Sequence, residues 1–182
     1  MTRHCAISAA QTCQGFVVRV QGSGTSIHSP TLVTFANECF GRDAETKVAI
    51  DLIGCDYLDS TFLGCLVKLQ RDVTKTRFQV VADEAARKRL LAATQLDGYF
   101  AFDAEAPKST SPFVKLDISP VSDHELGQHV MEAHQALGDV PSEFASKFKR
   151  IASQLMSELA RQDSDSQDMS DTVILPTGDR KS

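Results

Sequence analysis

Three polar residues, Asp59-Ser60-Thr61, stand at the junction between a predicted strand and a predicted helix. The residues before them, Lys47 to Ile53, are largely apolar over a strand length, and a turn begins at Gly54. A side-chain oxygen at such a junction can cap the helix by accepting a backbone N–H, which contributes about 1 kcal/mol. The pattern alone therefore predicts that Asp59 or Ser60 caps the helix.

The longer stretch from Val48 to Leu66 resembles the signature of the STAS domain of bacterial anti-anti-sigma factors. That signature is an apolar strand, D-L-S-G, a short loop and D-S-[ST]-G-L-G at a helix start, and the element order extends the resemblance over residues 10 to 105. The resemblance implies that Ser60, or as a second choice Thr61, is phosphorylated by a partner. The implied partners are an anti-sigma factor with serine-kinase activity and an opposing phosphatase, in the cytoplasm. The resemblance implies neither a cofactor nor a catalytic residue.

Two positions depart from the family pattern. Phe62 stands where the family usually has glycine, and Thr25 stands where the loop before the first helix often carries an aspartate. An exposed aromatic beside Ser60 is expected to anchor a partner, and such anchors typically contribute about 2 kcal/mol or more. If Phe62 turns inward instead, it extends the apolar stripe of the helix. The predicted partner-binding residues are Asp59, Ser60, Thr61, Phe62, Thr25 and His28.

The order of the predicted elements favours an α/β fold, a STAS-like mixed sheet with helices packed mainly on one face, followed by a C-terminal helical hairpin. Strands are predicted at residues 16–20, 47–53, 78–82 and 99–102, with a helix between each pair. Ser122 and Glu125 match a capping box at the start of the hairpin. We expect a domain over residues 1–105, a proline-rich linker over 106–121, the hairpin over 122–162 and a disordered Asp- and Ser-rich tail over 163–182.

Composition disfavours several kinds of function. The net charge of −5, without a cluster of Lys and Arg, disfavours nucleic-acid binding. No apolar run approaches the ~20 residues that span a bilayer, so we expect no membrane insertion. The five cysteines lack a C-x-x-C spacing, and their odd number indicates neither a disulfide framework nor a zinc site.

Other interpretations remain open at the level of sequence. The chain can be a constitutive STAS docking subunit of a transport or sensory assembly, with Ser60 only a helix cap. It can also be a small enzyme that pairs His28 with Cys39 or Cys55. His124, His129 and His134 recur every five residues, which spreads them around a helix, so we expect solvated side chains and no metal site.

Overall fold

The computed structural model describes residues 4–73, 76–118 and 120–170, and this part of the chain contains seven strands and five helices. The strands are β1 (Ala6–Thr12), β2 (Gly15–Gly24), β3 (Lys47–Asp51), β4 (Cys55–Leu58), β5 (Phe78–Val81), β6 (Phe102–Asp103) and β7 (Val114–Lys115). The helices are α1 (Ser29–Arg42), α2 (Ser60–Asp72), α3 (Glu84–Leu90), α4 (Asp123–Asp139) and α5 (Ala145–Ser170).

The strands form one mixed sheet in the order β6-β5-β3-β2-β1-β7. Strands β2, β3, β5 and β6 are parallel neighbours, whereas β1 is antiparallel to both β2 and β7. The last residues of β2, Gly22–Gly24, do not pair with β3 but form a parallel pairing with β4. Buried β-branched residues such as Val18, Ile50 and Val80 fill the central strands, as expected where a strand is covered. The predicted mixed α/β fold is confirmed.

The two faces of the sheet are covered differently. The main core joins the helices to one face, whereas the cluster on the other face (Ala10, Val17, Ala49 and Val81) contains no helical residue. Ala106 and Phe113 pack on that second cluster, and the Arg19 guanidinium lies 4.0 Å from the centre of the Phe113 ring. Part of the stretch 106–121, predicted as a linker from its prolines, therefore also covers the sheet through Ala106 and Phe113 and supplies β7.

The C-terminal hairpin packs on α2 and contributes to the main core. Helix α4 begins with the predicted capping box, in which the Ser122 hydroxyl accepts from the Glu125 N–H at 3.2 Å and the Glu125 carboxylate accepts from the Ser122 N–H at 2.9 Å. Leu137 of α4 and Phe148 of α5 belong to the same buried cluster as the sheet. The hairpin is thus an integral layer of the fold.

Some observed elements differ from the predictions. Strands β1 and β4 were not expected, because β1 is rich in alanine and polar residues and β4 lies inside the predicted turn. Helix α5 continues to Ser170, past the expected start of the tail at residue 163, since extending an existing helix is far easier than nucleating one. Residues 171–182 of the predicted tail lie outside the described residues. Among the described helices, none is long and apolar enough to cross a membrane.

Candidate functional site

Asp59 caps α2 and ties it to the loop after β2. One carboxylate oxygen accepts the Phe62 N–H at 2.8 Å, and the other accepts the Ser26 N–H at 2.7 Å. Its backbone is extended (φ −80°, ψ 170°), as is usual for the residue that precedes a helix. Because Asp59 fills the capping role, the hydroxyl of Ser60 is not needed for it.

Ser60 is the first residue of α2, and its half-buried hydroxyl contacts the hairpin. Its Oγ lies 3.1 Å from Nε2 of His134 on α4. The other ring nitrogen, Nδ1, lies 2.8 Å from the carbonyl oxygen of Val130. A carbonyl oxygen only accepts, so Nδ1 carries the proton, and in the neutral ring Nε2 accepts the Ser60 O–H. His134 is only 6% exposed, which fixes this arrangement within the interface between α2 and α4.

Thr25 and His28 lie in the loop that Asp59 holds. The Thr25 N–H donates to Nδ1 of His28 at 3.2 Å, and the Thr25 hydroxyl lies 2.8 Å from the same nitrogen. Burial lowers the pKa of His28 below its ordinary value of 6.5, against the opposing effect of the Asp59 charge. The structure therefore brings Thr25, His28, Asp59 and Ser60 to one edge of the sheet, as the predicted binding surface requires.

Two residues of that predicted surface are buried instead. The ring of Phe62 has no exposed surface and packs so closely on β2 that a Cβ at Gly24 would lie 3.0 Å from it. The prediction that Phe62 anchors a partner is therefore wrong, because the ring fills the space that Gly24 leaves. Thr61 is 4% exposed, which places its hydroxyl out of reach of a kinase and leaves Ser60 as the accessible hydroxyl of the pair.

Three exposed apolar residues near this edge were missed in the sequence. Ile27 is 60% exposed, Tyr57 is 50% exposed and Ile53 is 40% exposed. Ile27 follows β2, Ile53 follows β3, and Tyr57 lies on β4, beside the end of β2. The sequence does contain a signal for these residues, because each is an apolar residue at or shortly after the end of a predicted parallel strand. The carboxyl ends of parallel strands meet at one edge of the sheet, so such residues are expected to lie near one another there.

A cavity of about 410 Å³ opens beside Ser60, between the sheet domain and α5. It is lined by apolar residues together with two cationic side chains, Arg89 of α3 and Lys147 of α5, and no Asp or Glu lines it. Arg89 is held by backbone carbonyls, since its guanidinium donates to the Cys55 oxygen at 2.7 Å and to the Ile53 oxygen at 3.2 Å. The cavity is thus suited to an anionic group.

The alternative in which His28 pairs with Cys39 or Cys55 finds no support in the site, where Nδ1 of His28 is in contact with Thr25. Burial raises the pKa of the Cys39 thiol to about 11 and also raises that of Cys55, so both remain protonated. A protonated thiol is a poor nucleophile. The cysteine–histidine contact that the structure does contain joins Cys65 and His129, at 3.2 Å.

Of the three histidines of α4, only His124 fits the predicted solvated position, where it lies 3.6 Å from Asp163. His129 is partly buried beside Ser29, with its Nε2 2.9 Å from the serine hydroxyl. Burial lowers the pKa of His129 below 6.5. The prediction is wrong for His129 and His134, because both are drawn into the contact with α2. No group of three His, Cys, Asp or Glu side chains that could hold a metal ion occurs among the described residues.

The chain was compared with protein families, curated proteins and solved structures. No family model and no curated protein matches the chain. Among solved structures, the chain is similar to the crystal structure of an anti-sigma factor antagonist from Mycobacterium paratuberculosis. The two are 23% identical, the match covers 58% of this chain and 90% of that chain, and the TM-score is 0.49.

Proposed function

We propose that this chain is a regulatory protein-binding domain of the anti-anti-sigma type, controlled by phosphorylation of Ser60. Its partner is an anti-sigma factor with serine-kinase activity, a phosphatase reverses the modification, and both act in the cytoplasm. The observation that carries the proposal is the position of Ser60. It begins α2 beside a cationic cavity, and Asp59 has already taken over the capping role.

The surroundings of Ser60 favour a phosphate. A phosphoserine carries a charge of about −1.5 to −2 near neutral pH. The start of α2 supplies partial positive charge, and Arg89 and Lys147 line the adjoining cavity. The carboxylate of the adjacent residue, Asp59, already accepts two backbone N–H groups, which offset part of its charge.

The proposed docking surface combines polar and apolar residues. Thr25, His28 and Ser60 form its polar part, while Ile27 and Tyr57 replace Phe62 as apolar contacts. Tyrosine is enriched among the residues that dominate binding energy at protein interfaces. A phosphate entering this surface would have to be desolvated on docking, so we expect the modified form to bind more weakly.

The second candidate, a constitutive docking subunit, is favoured by one observation. The Ser60 hydroxyl is already hydrogen-bonded to His134 within the chain, so Ser60 can serve the structure alone. Intact-mass analysis of the protein purified from its own cells separates the two candidates, because only the switched protein carries a phosphoryl group on Ser60.

The test of the proposed function is the affinity of Ser60→Asp for the partner recovered by pull-down. We expect at least a tenfold loss of affinity by titration calorimetry, with an unchanged circular dichroism spectrum. Ser157→Asp, which adds the same charge to an exposed position of α5, is the matched control and is expected to bind normally. Equal affinities of Ser60→Asp and the unmodified protein would contradict the proposal.

A further inference from the structure

We propose that His134 is a general base that activates Ser60 as a nucleophile. The inference deepens the function proposed above, because it names the group in this chain that takes the proton when Ser60 accepts a phosphoryl group. The inference rests on the geometry of α2 and α4, and it can be tested on this chain without the proposed anti-sigma factor.

The geometry is that of a nucleophile, a base and a group that orients the base. Ser60 Oγ and His134 Nε2 are 3.1 Å apart, within reach of proton transfer. The Val130 carbonyl, 2.8 Å from Nδ1, holds the ring with its basic nitrogen towards Ser60. The ring also packs beside Phe148, with 5.9 Å between the ring centres. The imidazole is therefore positioned before any reagent arrives.

The surroundings of Ser60 give access and charge stabilisation. Ser60 lines the cavity of about 410 Å³, which offers space for a small phosphoryl donor. Arg89 and Lys147 line the same cavity, so an anion that approaches Ser60 meets two cations and no carboxylate of the lining. The partial positive charge at the start of α2 acts in the same direction.

A second pair on α4 provides an internal comparison. His129 lies 3.2 Å from the sulfur of Cys65, yet this thiol is 2% exposed and burial raises its pKa to about 12. Neither residue lines the cavity beside Ser60. Proximity to an imidazole is common to both pairs, whereas access to a reagent belongs to Ser60 alone.

The covalent step is a nucleophilic displacement at phosphorus. Ser60 Oγ forms the new O–P bond while the bond from phosphorus to the leaving group breaks. The proton moves to Nε2 of His134, and the imidazolium then releases it to water. The leaving group is a nucleoside diphosphate when a kinase presents a nucleoside triphosphate, and fluoride when the donor is a phosphoryl fluoride.

The test treats the full chain with diisopropyl fluorophosphate and follows modification by intact mass and peptide mapping. We expect labelling of Ser60, none in Ser60→Ala, and a rate at least tenfold lower in His134→Gln. Glutamine can still accept the serine hydrogen bond but cannot take up its proton. His129→Gln, on the same helix, is the matched control and should label at the normal rate.

A solvent isotope effect on the wild-type protein covers the case in which His134→Gln does not fold. The labelling rate should be lower in deuterium oxide than in water, because the serine proton moves to His134 as the O–P bond forms. Absence of Ser60 labelling, an unchanged rate in folded His134→Gln, or equal rates in the two solvents would each overturn the inference. Labelling combined with normal partner binding by Ser60→Asp would leave the activated serine intact and refute only the proposed switch.

Discussion

At Gly64 the backbone of α2 lies close to the backbone of the hairpin, and replacing this glycine tests whether that contact sets the geometry at Ser60. A Cβ at Gly64 would lie 2.2 Å from the carbonyl oxygen of Ala133, where ordinary contacts begin at 3.4 Å. Because the obstacle is backbone, Gly64→Ala must displace α4 by about 1.2 Å. A displacement of that size would break the 3.1 Å hydrogen bond between Ser60 and His134.

The expected cost follows from comparison with Gly41→Ala. Gly41 also lies in a helix, and a Cβ there would meet nothing within 4 Å. Both variants gain helix propensity, by up to about 1 kcal/mol, so their difference isolates the overpacking cost of about 1 to 3 kcal/mol. At about 2 to 4 °C per kcal/mol, Gly64→Ala should melt roughly 2 to 12 °C below Gly41→Ala.

The assay is thermal unfolding followed by circular dichroism, with urea unfolding as a check on the free energy. We also expect Gly64→Ala to label more slowly with the phosphoryl fluoride, since Ser60 loses its base. If the two glycine variants melt at the same temperature, α4 does not approach α2 as closely as described, and the position of His134 loses its support.

Three further predictions follow from burial. Phe62→Ala should lower the free energy of unfolding by about 3 to 5 kcal/mol in urea titrations, while the folded protein keeps its affinity for the partner. His28 and His129 have lowered pKa values in the folded chain, so the unfolded chain binds protons more readily as the pH falls. The melting temperature should therefore be highest above pH 6.5 and fall as the pH drops below that value. The fall should be shallower in His129→Gln, which lacks one of the two titrating groups. Iodoacetamide at mildly alkaline pH should modify the exposed Cys13 first and reach Cys65 only after unfolding, as peptide mapping would show; rapid modification of native Cys65 would contradict its burial.

The helices and central strands could be predicted because their burial produces a recognisable spacing of apolar residues along the sequence. The apolar run of β3 reflects burial on both faces of the sheet, and the helical periodicity of α2 reflects the residues Phe62, Leu66 and Leu69 that pack in the main core. Strand β1 could not be found in this way. Its residues Ala6–Thr12 form a strand because they pair with β2 on one side and β7 on the other, and such pairing depends on residues that are distant in sequence.

The site was predicted only where the local motif was sufficient. Asp59 and Ser60 lie at the helix start as the motif indicates, but periodicity alone did not decide between an outward and an inward Phe62. The direction of that ring depends on the absence of a side chain at Gly24. His134 was missed because it lies 74 residues from Ser60 in sequence, and only the packing of α4 on α2 brings the two together.

The energetics of the hairpin indicate where a switch at Ser60 can act. The hydrogen bond between Ser60 and His134 contributes about 1 kcal/mol, and the exposed ion pair between Arg71 and Asp139 contributes no more than that. Burial of Leu137 and Phe148 in the main core contributes about 1.5 to 3 kcal/mol for each side chain. Loss of the hydrogen bond alone is therefore too small to release the hairpin. We expect a phosphate on Ser60 to change the charge of the exposed edge while α4 and α5 stay in place, so that partner affinity changes without unfolding.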